Sequence, residues 1–239
     1  MPTAKNKDSM VEAMFKAGAH FGLAKARRHP TTKPYVFGVK NNIEIFDLEK
    51  TNEALEKAKS FVASIAASGK QALFVGGKSE VIPAVKAAAV KAGQPMVAGR
   101  WIGGTLTNST QIKKRIEKYE NRLKEKEKGE LAKYTKKERL LIDREIAKLE
   151  TLFGGIVSMK DKPGVLIVVD PKKEYIAVDE ARQTGVPVVA IASSDCDFSL
   201  VDFAIPANDS SAASAAFFLD ELARAYAEAK VMKPEAKTA

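Results

Sequence analysis

The run Val165-Leu166-Ile167-Val168-Val169 contains no polar residue and stops at Asp170-Pro171. An unbroken apolar run of this length before a turn former describes a strand covered on both faces, and such strands belong to parallel sheets sandwiched by helices. The chain from about Gly69 onward obeys the same constraint. Ala72-Leu73-Phe74-Val75 is a second buried strand, punctuated by Gly76-Gly77. Ser79 to Ala92 reads as a helix with Val81, Ile82, Val85 and Ala89 on one face, and Pro83 falls in its opening turns, where a missing N–H costs little. Pro95 to Ala98 is a short strand, Glu174 to Thr184 a helix stopped by Gly185, and Val188 to Ile191 another strand. Phe203-Ala204-Ile205 ends at Pro206, and Asp209 or Ser210 is the expected cap of a last helix through Ala229. Strand and helix alternate about five times, which predicts an α/β fold with a doubly wound parallel sheet and right-handed crossovers.

Two segments break the alternation. Near the start, Tyr35 to Gly38 and Ile43 to Phe46 flank Lys40-Asn41-Asn42, a β-hairpin whose turn tolerates positive φ at Asn. A helix from Leu48 to Ser68 follows, with Leu55, Ala58, Phe61, Val62 and Ile65 as its buried stripe. The second segment is an insertion from Thr105 to Phe153. Ile112, Ile116, Tyr119 and Leu123 recur at spacings of 4, 3 and 4, and Ile142, Ile146, Leu149 and Phe153 repeat the pattern, the seam of a two-helix coiled coil. Gly129 lies between the arms, and Thr135-Lys136-Lys137-Glu138 is a capping box for the second. Arms of this length project roughly 30 Å. Since nearly every position off the seam is charged, the expectation is a hairpin that adds little to the sheet's core and exists to touch something else. The division is then an α/β/α unit over 1–104 and 154–229, an inserted hairpin over 105–153, and a tail over 230–239.

Length and residue usage limit the chemistry. The 239 residues fit one large domain with an inserted module, and the single cysteine, Cys196, can form neither an internal disulfide nor, alone, a zinc site. Two histidines, His20 and His29, leave few candidates for triad or metal chemistry. No apolar run reaches membrane-spanning length, and the first ten residues lack the apolar core of a secretory signal, so a reducing cytoplasm is expected. The net charge of +9 is segregated: residues 1–40 hold 8 basic against 2 acidic side chains, 111–150 hold 14 against 9, and 151–239 hold 9 against 13. A face of one sign attracts polyanions, and nucleic acid is the leading partner because each neutralised phosphate releases counterions.

Candidate sites divide accordingly. Gly76-Gly77-Lys78-Ser79 imitates the end of a phosphate loop, but the required earlier glycine is Ala72, and residues 72–75 are needed as strand. No Gly-x-Gly-x-x-Gly follows any strand, which weakens dinucleotide binding. Asp170 reads as a turn former at a strand end. Asp195 and Asp197 flank Cys196 at the sheet's carboxyl edge and could hold a hard cation, although the Ser-rich and Asp-rich loop is also ordinary turn chemistry. His20, among small and apolar residues, reads as packed. In Arg27-Arg28-His29-Pro30, followed by Lys33-Pro34, the prolines stiffen a loop presenting Arg27, Arg28 and Lys33, suited to phosphate. Arg100 to Asn108 (RWIGGTLTN) holds the only Trp; Trp101 is expected to pack and Arg100, near glycines, to meet a phosphate or a base. In the insertion, Lys113, Lys114, Arg115, Lys136 and Lys137 are polyanion candidates against the bland reading of a solvated helix face.

Several of these stretches together resemble one family, bacterial small-subunit ribosomal protein two. The residues that carry the resemblance are Ala17 to Gly22 (AGAHFG), His29-Pro30, Lys33 to Gly38 (KPYVFG), Leu48 to Thr51 (LEKT), Leu73 to Gly76 and RWIGGTLTN. Thr135 to Glu138, Leu149-Glu150, Gly154-Gly155-Ile156, Gly185 to Val188, Asp202 to Pro206 and Asn208-Asp209 extend it over about residues 9 to 228. The resemblance implies a flavodoxin-like five-stranded domain with an inserted coiled-coil hairpin and an N-terminal β-hairpin. It implies a cytoplasmic, non-enzymatic constituent of the small ribosomal subunit at the head–body junction; no cofactor or metal is expected for this chain. The implied partners are small-subunit ribosomal RNA and neighbouring ribosomal proteins, including the large messenger-binding one. By that analogy Arg27, Arg28, Lys33, Arg100 and the hairpin cations become RNA contacts. Two departures stand out. The family's Asp-Thr-Asn-x-Asp-Pro loop reads Ser193-Ser194-Asp195-Cys196-Asp197-Phe198 here, and His-Phe-Gly-His reads His20-Phe21-Gly22-Leu23. The competing readings are a small-ligand or receiver-like α/β protein using Asp170 and Asp195/Asp197, and a coiled-coil adaptor that binds only protein.

Overall fold

Side-chain alternation along the central strands decides how the molecule is layered. A computed structural model describes residues 4–231. Strands β4 (Ala72–Gly76), β5 (Met96–Ala98), β6 (Val165–Val169), β7 (Val188–Ala192) and β8 (Phe203–Pro206) form a parallel sheet in the order β5-β4-β6-β7-β8. Alternate residues serve opposite faces. Phe74, Ile167, Val169, Val189, Ile191 and Ile205 pack under α2 (Leu48–Ala67), α3 (Ile82–Ala92) and α7 (Ala212–Val231), whereas Leu73, Val75, Leu166, Val168, Val188 and Ala190 face the other way. The strand order is the flavodoxin-like one, whose switch point lies between β4 and β6.

The second face is covered by α6 (Tyr175–Thr184) and by the root of the inserted hairpin, α4 (Ser109–Glu127) and α5 (Lys136–Phe153). Ile112, Tyr119, Ile146, Leu149, Phe153 and Ile156 are buried in one cluster with Leu73, Val75, Leu166 and Val168. This corrects the expectation that the hairpin adds little to the core. The segment between β5 and β6 holds no other α-helix, so without the hairpin root the sheet there would lose most of its cover. Gly155 seats that root: a Cβ on it would stand 2.3 Å from the Met96 carbonyl oxygen of the edge strand. Farther out the seam thins, with Ile116, Leu123 and Ile142 only half-buried, and Gly129 turns the chain at φ 72°. The capping box of Thr135 and Glu138 starts α5 as expected.

The N-terminal part adds elements that the pattern did not announce. Helix α1 (Ala4–Lys16) buries Met14, and strand β1 (Phe21–Ala24) joins β2 (Val36–Lys40) and β3 (Ile43–Phe46) in an antiparallel sheet ordered β1-β3-β2. The β2–β3 turn is the expected one, with Asn41 at φ 52° and Asn42 at φ 64°. Two boundaries differ from expectation. Helix α3 begins at Ile82 because residues 78–81 form a separate turn on the Lys78 carbonyl, and α7 begins at Ala212 because Ser211, neither Asp209 nor Ser210, accepts from the Ser214 N–H at 3.4 Å. Asp209 is drawn away by Lys78. Helix α7 runs to Val231, so the start of the expected 230–239 tail is helical, and its residues from 232 lie outside the described ones.

Candidate nucleic-acid interface

The loop that contains Trp101 has no regular structure, so its backbone donors need partners from elsewhere. They find one carboxylate. Glu180 of α6, 6% exposed, accepts from Trp101 Nε1 at 3.1 Å, Gly104 N at 2.7 Å, Leu106 N at 2.9 Å, Thr107 N at 3.1 Å and Thr107 Oγ1 at 3.2 Å. Burial pushes this carboxyl up, but the hydrogen bonds from Leu106, Trp101, Gly104 and Thr107 outweigh it and hold the group below the ordinary glutamate range. Trp101 is therefore a packed residue, as expected, with its indole N–H engaged. Sequence reasoning missed Glu180. The available signal was an acid on the inward stripe of α6, at helical spacing with Ala177, Ala181 and Thr184.

Arg100 enters this loop from Gly99 and stays exposed, lining a groove of about 460 Å³ with Lys86, Tyr119 and Glu150 between β5 and the hairpin. The 25–35 loop stands at the same carboxyl edge, docked on the β7 end: His29 N donates to the Ser194 carbonyl at 2.8 Å, and the buried Thr32 hydroxyl donates to the His29 carbonyl at 2.8 Å. His29 is structural here, its Nδ1 lying 2.8 Å from Thr31 Oγ1. Arg27 and Lys33 are exposed and form no ion pair among the described residues. Arg28 turns inward, Nη1 3.2 Å from a Glu44 carboxylate that is fully buried, so its charge serves the loop first. The β5 end that precedes Arg100 and the β7 end that holds this loop are three strand spacings, about 14 Å, apart.

The hairpin cations do not gather. Lys113, Lys114 and Arg115 are consecutive on α4 and fan out around it, since neighbours in sequence do not share a helix face. Lys113 faces a cleft of about 200 Å³ whose other wall is Met159 to Pro163. Lys136 and Lys137 open α5 at the far end, about 20 Å along the arm.

The carboxyl edge between these cations is filled by the chain itself. Lys78 Nζ lies 2.8 Å from Asp170 Oδ2 and 2.9 Å from Asp209 Oδ1, directly at the switch point. Burial works against the Lys78 charge, but contacts with Asp170 and Asp209 prevail and raise its pKa; burial and the Asp170 charge raise Asp209. Glu174 packs so close that a Cβ on Gly77 would meet its Oε1 at 2.4 Å. Burial raises Glu174 as well. Asp170, the expected turn former, adopts φ 62° and anchors this cluster. Asp170, Cys196 and Asp209 bring one ligand atom each within 4.8 Å of one another, but a metal would have to displace Lys78, and burial followed by the Asp170 charge pushes the Cys196 thiol up and keeps it protonated. Asp195 and Asp197 line one cleft, but each is already engaged: Asp195 pairs with Lys172 at 2.8 Å and Asp197 accepts from Ser199 N at 2.9 Å. His20 is packed as expected, its ring stacked on Phe15 at 4.4 Å and against Phe21 at 4.0 Å.

Residues 14–229 match the family described as Ribosomal protein S2. Similar proteins include the small ribosomal subunit protein uS2 of Roseiflexus sp. (strain RS-1), 42% identical over 219 residues that make up 91% of this chain and 83% of the relative. The small ribosomal subunit protein uS2 of Bdellovibrio bacteriovorus is 44% identical over 218 residues, 91% of this chain and 70% of the relative. That of Maridesulfovibrio salexigens is 39% identical over 227 residues, 95% of this chain and 88% of the relative.

Two variants test the geometry of this edge. Glu180→Gln replaces an all-acceptor group by one that also donates, and should cost about 2–3 kcal/mol in urea unfolding at pH 7. Because the folded-state value of Glu180 is depressed, the wild-type advantage is present above the ordinary glutamate pKa of about 4.3 and shrinks as pH falls through the lower folded value. Lys78→Met leaves Asp170 and Asp209 buried without a cation and should cost about 3–5 kcal/mol, part of which a further Asp209→Asn change recovers.

Proposed function

The chain belongs to the ribosomal protein S2 family and is a structural constituent of the small ribosomal subunit, and on that premise we propose that it grips folded ribosomal RNA with the carboxyl edge of its sheet and the hairpin root. The observation that carries this reading is the contrast along that edge. The sheltered Lys78 and the exposed Lys172 are both paired with aspartates, while Arg27, Lys33 and Arg100 stand exposed without an ion pair among the described residues. Fixed, unpaired cations on a rigid edge suit a phosphate backbone, where each contact displaces counterions. Lys113, which faces the cleft beside Met159 to Pro163, and Lys114 and Arg115, which fan out around α4, would add separate contacts at the hairpin root. Arg28 acts as a positioning residue that fixes the loop through Glu44. Lys136 and Lys137 lie too far along the arm to join this grip. At the junction of head and body such an edge would tie RNA segments from both sides.

A non-enzymatic role fits the same geometry. The switch-point crevice, where this sheet order otherwise receives a ligand, is taken up by Lys78, Glu174 and Asp209. No described helix is long and apolar enough to cross a membrane.

A protein neighbour has its own surface. Phe21 and Ile43 are 44% and 41% exposed on the outer face of the three-stranded sheet, and Phe37, at the bulge of β2, is 81% exposed. Apolar side chains grouped this way mark an interaction site, and this is where a neighbouring ribosomal protein, the large messenger-binding one in particular, would dock.

Charge reversal at Arg27, Lys33 and Arg100 together should weaken filter binding to small-subunit ribosomal RNA at least tenfold and reduce the log–log salt slope by about 2–3. An unchanged slope removes these residues from the interface. Phe37→Ser with Phe21→Ser should leave that RNA affinity within twofold while lowering the messenger-binding protein at least fivefold in purified subunits, measured by quantitative mass spectrometry. Full occupancy would assign the aromatic surface elsewhere.

A further inference from the structure

The outward face of α5, opposite its seam, has an unusual composition. Lys137, Leu141, Arg144 and Lys148 repeat at spacings of 4, 3 and 4, the same rhythm as Ile142, Ile146, Leu149 and Phe153 on the buried side. Leu140 flanks them. The leucines are 51% and 54% exposed at positions 140 and 141, and the three cations are exposed and form no ion pair among the described residues. No acidic residue shares this face. The four acids of α5 sit off this face: Glu138 closes the capping box, Asp143 pairs with Lys126 at 2.7 Å, Glu145 pairs with Lys118, and Glu150 lines the groove beside Arg100. Helix α4 lacks the pattern, since Glu117 and Glu125 share its outward side with Lys114.

We propose that the outward face of α5 is a docking surface for an acidic, amphipathic helix of a neighbouring protein, which lies along the hairpin as a third helix. Charge and apolar content together select this occupant. A phosphate backbone would use Lys137, Arg144 and Lys148 but would leave the adjacent leucines in water. A helix with apolar residues at spacings of three and four, flanked by Asp and Glu, buries the leucines and the Arg144 stem while answering every cation. The heptad rhythm supplies the register, and the one-sign face supplies selectivity against basic segments through like-charge repulsion. The proposal does not rest on the RNA grip described above, which uses other residues.

Photocrosslinking inside assembled small subunits tests it. The full chain carrying benzoylphenylalanine at position 141 is incorporated, irradiated, and the adduct mapped after protease and nuclease digestion. The expected product is a peptide rich in Asp and Glu with apolar residues at spacings of three and four. Lys137→Glu with Arg144→Glu should lower its yield at least tenfold without lowering incorporation into subunits. An adduct on ribosomal RNA, or a yield no higher than from the probe at position 121 on α4, overturns the proposal. The position-141 adduct in the otherwise unaltered chain decides between protein and RNA on its own, whatever the charge-reversed variant does.

Discussion

A single buried carboxylate governs how the two halves of this molecule meet. Moving a charge out of water is costly, and Glu180 is tolerated only because five hydrogen bonds converge on it. The same bonds solve a problem of the 101–107 loop, whose N–H groups have no strand or helix to pair with. Loop and carboxylate are therefore stable only together. Because α4 leaves directly from this loop, the bond set also fixes the direction of the hairpin. That direction puts Ile112 and Tyr119 over Leu73 and Val75, and so closes the second face of the sheet. Helix α6, the loop, the hairpin and the core thus depend on one side chain.

The fold's usual ligand position has been turned to structural use. A doubly wound sheet concentrates strand ends and helix starts at its switch point, and these normally face a bound molecule. Here Gly77 gives up its side chain so that Glu174 can approach, and Lys78 bridges the ends of β6 and β8 through Asp170 and Asp209. A lysine in that position does what a bound cation would do, with the charge tethered to the backbone. The crevice becomes a clamp between strands. Recognition then has to occur on the outer surfaces: the pinned 25–35 loop, the groove at Arg100, the aromatic side of the small sheet and the arms of the hairpin.

Much of this was legible in the residues, and the division between legible and hidden follows interaction range. The strands at 72–76, 165–169 and 188–192 declare themselves because burial on both faces admits only apolar side chains. The hairpin declares itself because a two-helix seam needs a heptad rhythm, and the Asn41-Asn42 turn because positive φ is cheap for Asn. These are local signatures. Strand β1 is four residues, FGLA, with a glycine inside, and it becomes a strand only by pairing with β3 some twenty positions later. Ser211 caps α7 in place of Asp209 since Asp209 is claimed by a lysine 131 positions away, information absent from the local run Asn208-Asp209-Ser210-Ser211. Arg28 looked identical to Arg27 as a free cation, and only the burial of Glu44 distinguishes them. The resemblance recovered the architecture of the sheet and hairpin but could not supply these pairings, which depend on which side chain faces which.

The hairpin shows a gradient of order that bears on how it meets partners. At its root the seam is continuous with the core, and Ile146, Leu149 and Phe153 are each under 9% exposed. Along the arm the seam residues Ile116, Leu123 and Ile142 are only half-buried, although Leu131 is buried at the turn. The ion pairs Lys118 with Glu145 in the middle and Lys126 with Asp143 nearer the turn contribute little in water and are screened by salt. Opening should therefore be confined to the arm beyond the root and stop where the core takes over. The exposed leucines at 140 and 141 lie in the less protected part, so a helix docked there would add apolar burial where the hairpin has least. Root and tip thus divide the work: the root is held by the sheet, and the outer arm gains its rigidity from what it binds.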